Sequence, residues 1–465
     1  MLVHAGTMWR KRGSIMEIAQ SLVVLLLIGC KLPNSQGCTF DLAKSHCTCL
    51  FADLKNLFNI LTCMQAFVFE FRDGDFKNPM DINALSLESL VPFLQNPINK
   101  IIVGNSVLHE NFLLTFLTLT QNVRITELVF EDCIFIGKVS WQFAEEKLPS
   151  VFYLQFTNVS SASLSDRGKD VSGISSWLAK MQNIIFTRSQ ITHIPRTISM
   201  HFKDLNVLDL SENLFQDQGM NDSFSEGLFP NLRTLKLRDN KLTSFGMACN
   251  ALSMLPNLQD LDLSQNNFSE PPSSSCEWPN SLLLLNLSRV GLEHVSVHQL
   301  PQTLEILDLS YNRLSNLDAS LPYLKELYLT RNRLHSLPSV TNFPVLEVLL
   351  LDGNKIPHLS KDQLEAFKYL SIVRADQNPY TCSCPVVNEM KELPKSSFVV
   401  QQWPEDYFCD SPPELKGARV NDAQSSVFQC HKLLFISIIC VLILLVCIVA
   451  TVCWVRTCCF TQRTA

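Results

Sequence analysis

Seventeen cysteines are the residues of this sequence best equipped for chemistry, and most fall where a crosslink would serve. Cys38, Cys47, Cys49 and Cys63 form one cluster, and Cys382, Cys384, Cys409 and Cys430 form another. Thiols grouped this way in a secreted chain form disulfides, because the oxidising compartment favours them. The expected pairs are Cys38 with Cys49, Cys47 with Cys63, Cys382 with Cys409 and Cys384 with Cys430. Four cysteines allow three connectivities in each cluster, so spacing alone leaves the pairing open. Cys249 and Cys276 are expected to close a loop around the repeat that contains Asn266. Zinc is the rival use of such clusters, disfavoured by the secretory context.

No catalytic apparatus is expected. The chain has no Gly-x-Ser-x-Gly, no His-Glu-x-x-His and no glycine loop to cradle a phosphate. His193, His294 and His335 fall in turns, where exposure to solvent is the default. No catalytic residue, metal ligand or cofactor is therefore assigned. A formal charge of −6, with 38 basic residues spread thinly, argues against a nucleic-acid binder, which needs a basic stripe. Asn158, Asn221, Asn267 and Asn286 head N-glycosylation sequons, as suits an extracellular chain. Asn286 lies between Leu285 and Leu287 on the outward side of its strand, where a glycan would obstruct a large protein ligand.

The elements that hold these residues repeat. Leu205, Leu208, Leu210 and Asn213 spell the leucine-rich repeat signature. Further copies run through Asn240, Asn266, Asn312, Asn332 and Asn354, while Val290 takes the asparagine position in one repeat and Cys133 in a looser, earlier one. Apolar residues two apart in a strand point the same way, so each repeat has an inward face that only a neighbouring repeat can cover. Asparagine turns the chain out of the strand and can bond neighbouring backbone, linking repeat to repeat. The fold expected is an α/β leucine-rich repeat solenoid, a horseshoe with disulfide-capped ends. Asp209, Asp262 and Asp308 recur at equivalent outward positions. They form an acidic ladder suited to a basic ligand, though repeated solvated positions are the plainer account.

The first third is unusually apolar. Phe67, Phe69 and Phe71 alternate next to Cys63, followed by Leu90, Phe93, Leu94, Ile101, Val103, Phe112 and Phe116. Either these fill a wide early repeat, or they line an apolar cavity able to hold a small ligand.

Both ends point to a membrane. Arg10, Lys11 and Arg12 precede the apolar run from Leu22 to Ile28, the pattern of a signal peptide, assigned to residues 1–37. Residues 433–455 carry no charge and, as a helix, span about 34 Å, enough to cross a bilayer core. The basic tail, 456–465, fits a cytoplasmic side, and its Cys458 and Cys459 are candidates for S-palmitoylation, with two idle thiols as the plain alternative. Between the ends lie an N-terminal cap and first strands at 38–97, repeats at 98–377 and a C-terminal cap at 378–431. The expected location is the plasma membrane, single-pass with the ectodomain outside, and a shed form is also open.

The cap from Cys38 to Cys63, the strand Phe67 to Phe71, and the run from Cys276-Glu277-Trp278 through Leu285-Asn286-Leu287-Ser288 to Asn312-Arg313-Leu314 resemble the monocyte differentiation antigen family of lipopolysaccharide co-receptors. The resemblance covers roughly Cys38 to Asn354. It implies an N-terminal pocket for acyl chains of bacterial lipopolysaccharide or lipopeptide, around Phe69, Leu90, Phe93 and Ile101. It also implies delivery to Toll-like receptor complexes, with a lipopolysaccharide-transfer protein as a further partner; a homodimer is left open. The C-terminal cap, from Asn378-Pro379-Tyr380-Thr381-Cys382 to Cys409-Asp410-Ser411-Pro412, departs from that family and looks like a Toll-like receptor of the lipopeptide-binding subfamily. A decoy of that second kind, or an adhesion receptor binding proteins along the concave face, are the alternatives.

Overall fold

Each repeat contributes a short strand whose central apolar residue points inward, and parallel stacking follows because only the next repeat can bury it. In the computed structural model Leu208, Leu235, Leu261, Leu285, Leu307, Leu327, Leu349 and Val373 stand in register down one column. All eight are completely buried. The structure describes residues 37–55, 60, 62–78, 98–121, 123–138, 140–141, 148–161, 171–268, 277–295, 299–423 and 432–461. The main sheet has 16 strands, from Thr39–Asp41 to Val399–Val400. Its first pair is antiparallel and the rest are parallel, so the chain is a leucine-rich repeat solenoid.

Two kinds of repeat share this sheet. From Asn213 onward, asparagine after the strand binds repeat to repeat, except where Val290 takes its place. Asn312 Nδ2 donates to Leu287 O (2.8 Å) and Leu309 O (2.9 Å), while its Oδ1 accepts from Val290 N (3.2 Å) and Leu292 N (3.1 Å). Asn240, Asn266, Asn332, Asn354 and Asn378 bond across repeats in the same way. In the earlier repeats the equivalent residues are Gly74, Ser106, Cys133, Val159 and Ser189, which offer fewer hydrogen bonds. Ser189 Oγ accepts from Val159 N (3.1 Å), and Cys133 Sγ donates to Val103 O (3.4 Å).

The early repeats hold together by other means. Their strands are five residues long, as at Glu127–Glu131, against three in the later ones. A second sheet of four strands, Asp75–Phe76, Val107–His109, Ile134–Ile136 and Ser160–Ser161, backs the first. Phenylalanine replaces leucine at the last inward strand position, and the rings of Phe130, Phe156 and Phe186 stack in sequence at 5.3 and 4.8 Å.

Cys133 sits inside this region, 1% exposed. Burial pushes its thiol up to about 12. At pH 8.5 the thiolate is then on the order of 10⁻⁴ to 10⁻³ of the population, and only the thiolate is nucleophilic. Folded protein treated with iodoacetamide at pH 8.5 leaves Cys133 unmodified by mass spectrometry, and urea exposes it; alkylation in the folded state would refute this burial.

The ends are closed covalently. Cys38 is bonded to Cys49, Cys47 to Cys63 and Cys382 to Cys409. Cys249 and Cys384 are also disulfide-bonded, while Cys276 and Cys430 lie outside the described residues. In the second cap the buried rings of Tyr380 and Tyr407 stack at 5.8 Å. Tyr407 Oη accepts from Ala375 N (3.0 Å) and donates to Gln401 O (3.1 Å), tying cap to last repeat. Beyond it, the helix Lys432–Thr461 contains a 21-residue stretch, Leu434–Trp454, apolar and long enough to cross a membrane. Cys458 and Cys459 fall in this helix; of the expected signal peptide, residues 1–37, all but Gly37 lie outside the described residues.

Candidate ligand-binding site

Inward strand residues face either packed neighbours or empty space, and the two cases separate along this chain. Near the N-terminus they face neighbours. Phe69, Phe71, Ile101, Val103, Phe112 and Phe116 are all at most 2% exposed. Phe71 and Phe76 each pack on Phe51, at 5.4 and 4.9 Å, and Phe76 stacks on Phe112 at 5.6 Å. Phe67 stands just before the strand Val68–Arg72 and is 49% exposed. The described residues of the expected pocket are therefore core and surface, and none of them lines the cavity described below. Leu90, Phe93 and Leu94 lie outside the described residues. Composition could not separate the readings, because an inward phenylalanine looks the same in sequence whether it touches a ring or a void.

The cavity lies farther along, spanning the repeats that begin at Lys100–Gly104 through Val207–Asp209, with a volume of ≈ 150 Å³. Leu154, Phe156, Ile184, Phe186 and Leu208, the inward residues of three successive strands, form its floor. Trp177, Leu178 and Met181 build one wall from the helical turn Ser175–Leu178 and the residues after it. Ile191, Ile194, Pro195, Ile198 and Phe202 build the next, and Leu113, Phe135 and Trp141 the third.

Two sequence features put it there. The phenylalanine spine ends at Phe186, which is only half-buried, because the next repeat supplies the smaller Leu210. The backing sheet also ends, at Ser160–Ser161, before the first asparagine rung at Asn213. Packing in one style thus stops just before packing in the other begins. Trp177 holds its wall rigidly: the indole Nε1 donates to Val151 O at 2.8 Å.

Polar groups in the lining are few. Ser161 Oγ donates to Glu110 Oε1 at 3.4 Å. His193 Nδ1 and Thr192 Oγ1 share a hydrogen bond of 3.1 Å. An apolar chamber with three polar side chains, Glu110, Ser161 and His193, suits a ligand with a hydrocarbon part and a hydrogen-bonding end.

The concave face is quieter. Asp209, Asp262 and Asp308 accept the backbone N–H of Ser211, Ser264 and Ser310, at 3.0, 2.9 and 2.8 Å, so each caps its own turn. Asn286 does the same for Ser288 at 3.0 Å. Asn158 donates to Asp132 at 2.7 Å on the lateral surface, Asn267 stands two repeats before Arg313, and Asn221 lies in the helix Asp217–Ser223.

Comparison with known proteins agrees with this architecture. Residues 230–274 match the family described as Leucine Rich repeats (2 copies), and residues 301–321 the family described as Leucine Rich repeat. Toll-like receptor 2 of Cricetulus griseus is 37% identical over 367 residues, which cover 77% of this chain and 46% of the relative. Toll-like receptor 2 of Mus musculus is 35% identical over 378 residues, with 77% and 46% covered. Toll-like receptor 2 type-1 of Gallus gallus is 34% identical over 352 residues, with 75% and 44% covered. The chain spans about half the length of these relatives. They support the Toll-like side of the sequence resemblance, and they lend none to identity with the lipopolysaccharide co-receptor.

Proposed function

Because the chain is a leucine-rich repeat protein homologous to Toll-like receptor 2, we propose that it is a pattern-recognition receptor of innate immunity that holds the acyl part of a bacterial lipid. The observation that carries this reading is the apolar cavity at the junction of the two repeat types. Burial of hydrocarbon there contributes about 0.8 kcal/mol per CH₂ and has no directional requirement, so related chains are accepted. At ≈ 150 Å³ the chamber is below the usual 300–1,000 Å³ of drug-sized sites, and it takes part of one chain rather than a whole multi-acyl lipid. Glu110, Ser161 and His193 are the groups placed to meet the polar end.

A triacylated or diacylated lipopeptide fits this chemistry, and the lipid part of lipopolysaccharide shares it. The helix Leu434–Trp454 supports anchorage at the plasma membrane with the repeats outside. Handing the lipid on to Toll-like receptor complexes belongs to the same proposal.

The test uses full-length protein in detergent, with a fluorescent diacylated lipopeptide and the same peptide with its acyl chains removed. Saturable binding of the first and none of the second is the expected result. Equal binding of both would place recognition on the peptide and end the cavity reading.

A further inference from the structure

One lateral face of the later repeats is cationic against the charge of the chain as a whole. After each strand the backbone passes through a left-handed residue: Arg289, Tyr311 and Arg331, with φ of 57°, 59° and 54°. Their N–H groups donate to Ser310, Thr330 and Asp352 carbonyls of the following repeat, at 3.0, 2.7 and 2.7 Å. Two residues after Tyr311, Arg331 and Gly353, the backbone N–H groups of Arg313, Arg333 and Lys355 donate to the Leu292, Leu314 and Leu334 carbonyls of the preceding repeat, at 2.8, 2.8 and 2.9 Å. Two rows of exposed side chains are thereby fixed on a lattice with the strand spacing of about 4.8 Å.

The fold does not require cations at these positions. The same two rows carry Glu212, Asp239 and Gln265, and Leu214, Lys241 and Asn267, in the repeats before. From Arg289 onward the first row reads Arg289, Tyr311, Arg331 and Gly353, and the second Gly291, Arg313, Arg333 and Lys355. Among the described residues only one carboxylate pairs with them, Glu293 with Arg313 at 3.5 Å. The Arg289 guanidinium lies 4.2 Å from the centre of the Tyr311 ring, and that of Arg331 lies 5.5 Å from it. Both are held over the ring with donor edges left for another partner. No glycosylation sequon occurs after Asn286, so these rows stay bare.

We propose that this face binds a linear sulfated polysaccharide, a glycosaminoglycan chain laid along the rows. Arg313, Arg333 and Lys355 on consecutive repeats, with Arg289 and Arg331 beside them, match a polymer with regularly repeated oxyanions, each able to accept two parallel hydrogen bonds from a guanidinium. A globular protein partner would need an apolar anchor at the centre of the contact. The large ring of these rows, Tyr311, is 42% exposed but flanked by the Arg289 and Arg331 guanidiniums, so cations rather than an apolar patch surround it. The attraction is between exposed charges, so it weakens as salt rises.

Full-length protein in detergent is passed over immobilised heparin, and over the same heparin after desulfation, with rising sodium chloride. Retention beyond about 0.15 M salt, where surface charges are already screened past about 8 Å, is expected on heparin alone. The variant R313A/R331A/R333A/K355A is expected to bind about tenfold or more weakly, four exposed charges each contributing a modest share, with an unchanged thermal midpoint. Lys241→Ala, in the same row but outside the cationic stretch, is expected to behave as wild type. Unchanged retention of the fourfold variant overturns the proposal, as does equal retention on desulfated heparin. Binding to phosphatidylserine vesicles but not to heparin likewise overturns it and assigns the face to a membrane surface.

Discussion

Ile198→Trp lowers the affinity for a diacylated lipopeptide about a hundredfold. Ile198 lines the cavity from the short helix Arg196–Ser199 and is only partly buried, so an indole can be accommodated there without opening the core. The ring points its extra atoms into a space of ≈ 150 Å³. Displacing about four methylenes from it forfeits about 3 kcal/mol, which is about two orders of magnitude in the dissociation constant. Ile198→Ala is the counterpart: it widens the chamber and leaves binding at or above the wild-type level. If both variants bind as wild type, the ligand lies elsewhere. If both lose binding, the site depends on the native wall rather than on free volume.

Asn266→Ala destabilises the solenoid by about 3–5 kcal/mol, since each buried group left without a partner costs about 1–3 kcal/mol. The side chain donates to Leu237 O (2.9 Å) and Leu263 O (2.8 Å) and accepts from Asn240 N and Leu242 N, both at 3.2 Å. Alanine strands these groups where the asparagine was 4% exposed. The repeat at Val290 shows how a missing rung can be tolerated: there Phe268 N turns to Val290 O, at 3.1 Å. No such rearrangement is prepared at Asn266. Repeats communicate only with neighbours, so circular dichroism of the heated variant is expected to show the array melting in two steps at lower temperature. One unshifted transition would mean that the rung is dispensable.

Much of this was readable from residue spacing, for reasons that also mark where reading fails. Leucine two residues from leucine, with asparagine three further on, dictates both the strand and its link to the next repeat. That is why the later repeats and their register follow from the sequence. The early repeats keep the inward period but lose the asparagine, and Phe130, Phe156 and Phe186 replace the leucines. Period alone says that those residues point inward; it does not say what they meet. The apolar excess from Phe67 to Phe116 drew attention to the N-terminus, where Phe51, Phe71, Phe76 and Phe112 turn out to fill one another's space. The better signal lay at the asparagine position. Gly74, Ser106, Cys133, Val159 and Ser189 mark the irregular repeats, and their boundary with Asn213 marks the cavity.

An open sheet of 16 strands has two edges, each a row of unpaired backbone groups on which another chain could nucleate. Here one edge is Thr39–Asp41, turned antiparallel and stapled by Cys38 to the strand beside it, and the other is the two-residue strand Val399–Val400 within the second cap. Parallel repeats could otherwise add end to end without limit, since a head-to-tail contact that does not close propagates into a fibre. Reversing the first strand and shortening the last denies an incoming solenoid the register it would need. Reduction of the disulfides thus exposes the protein to filamentous aggregation as well as to unfolding.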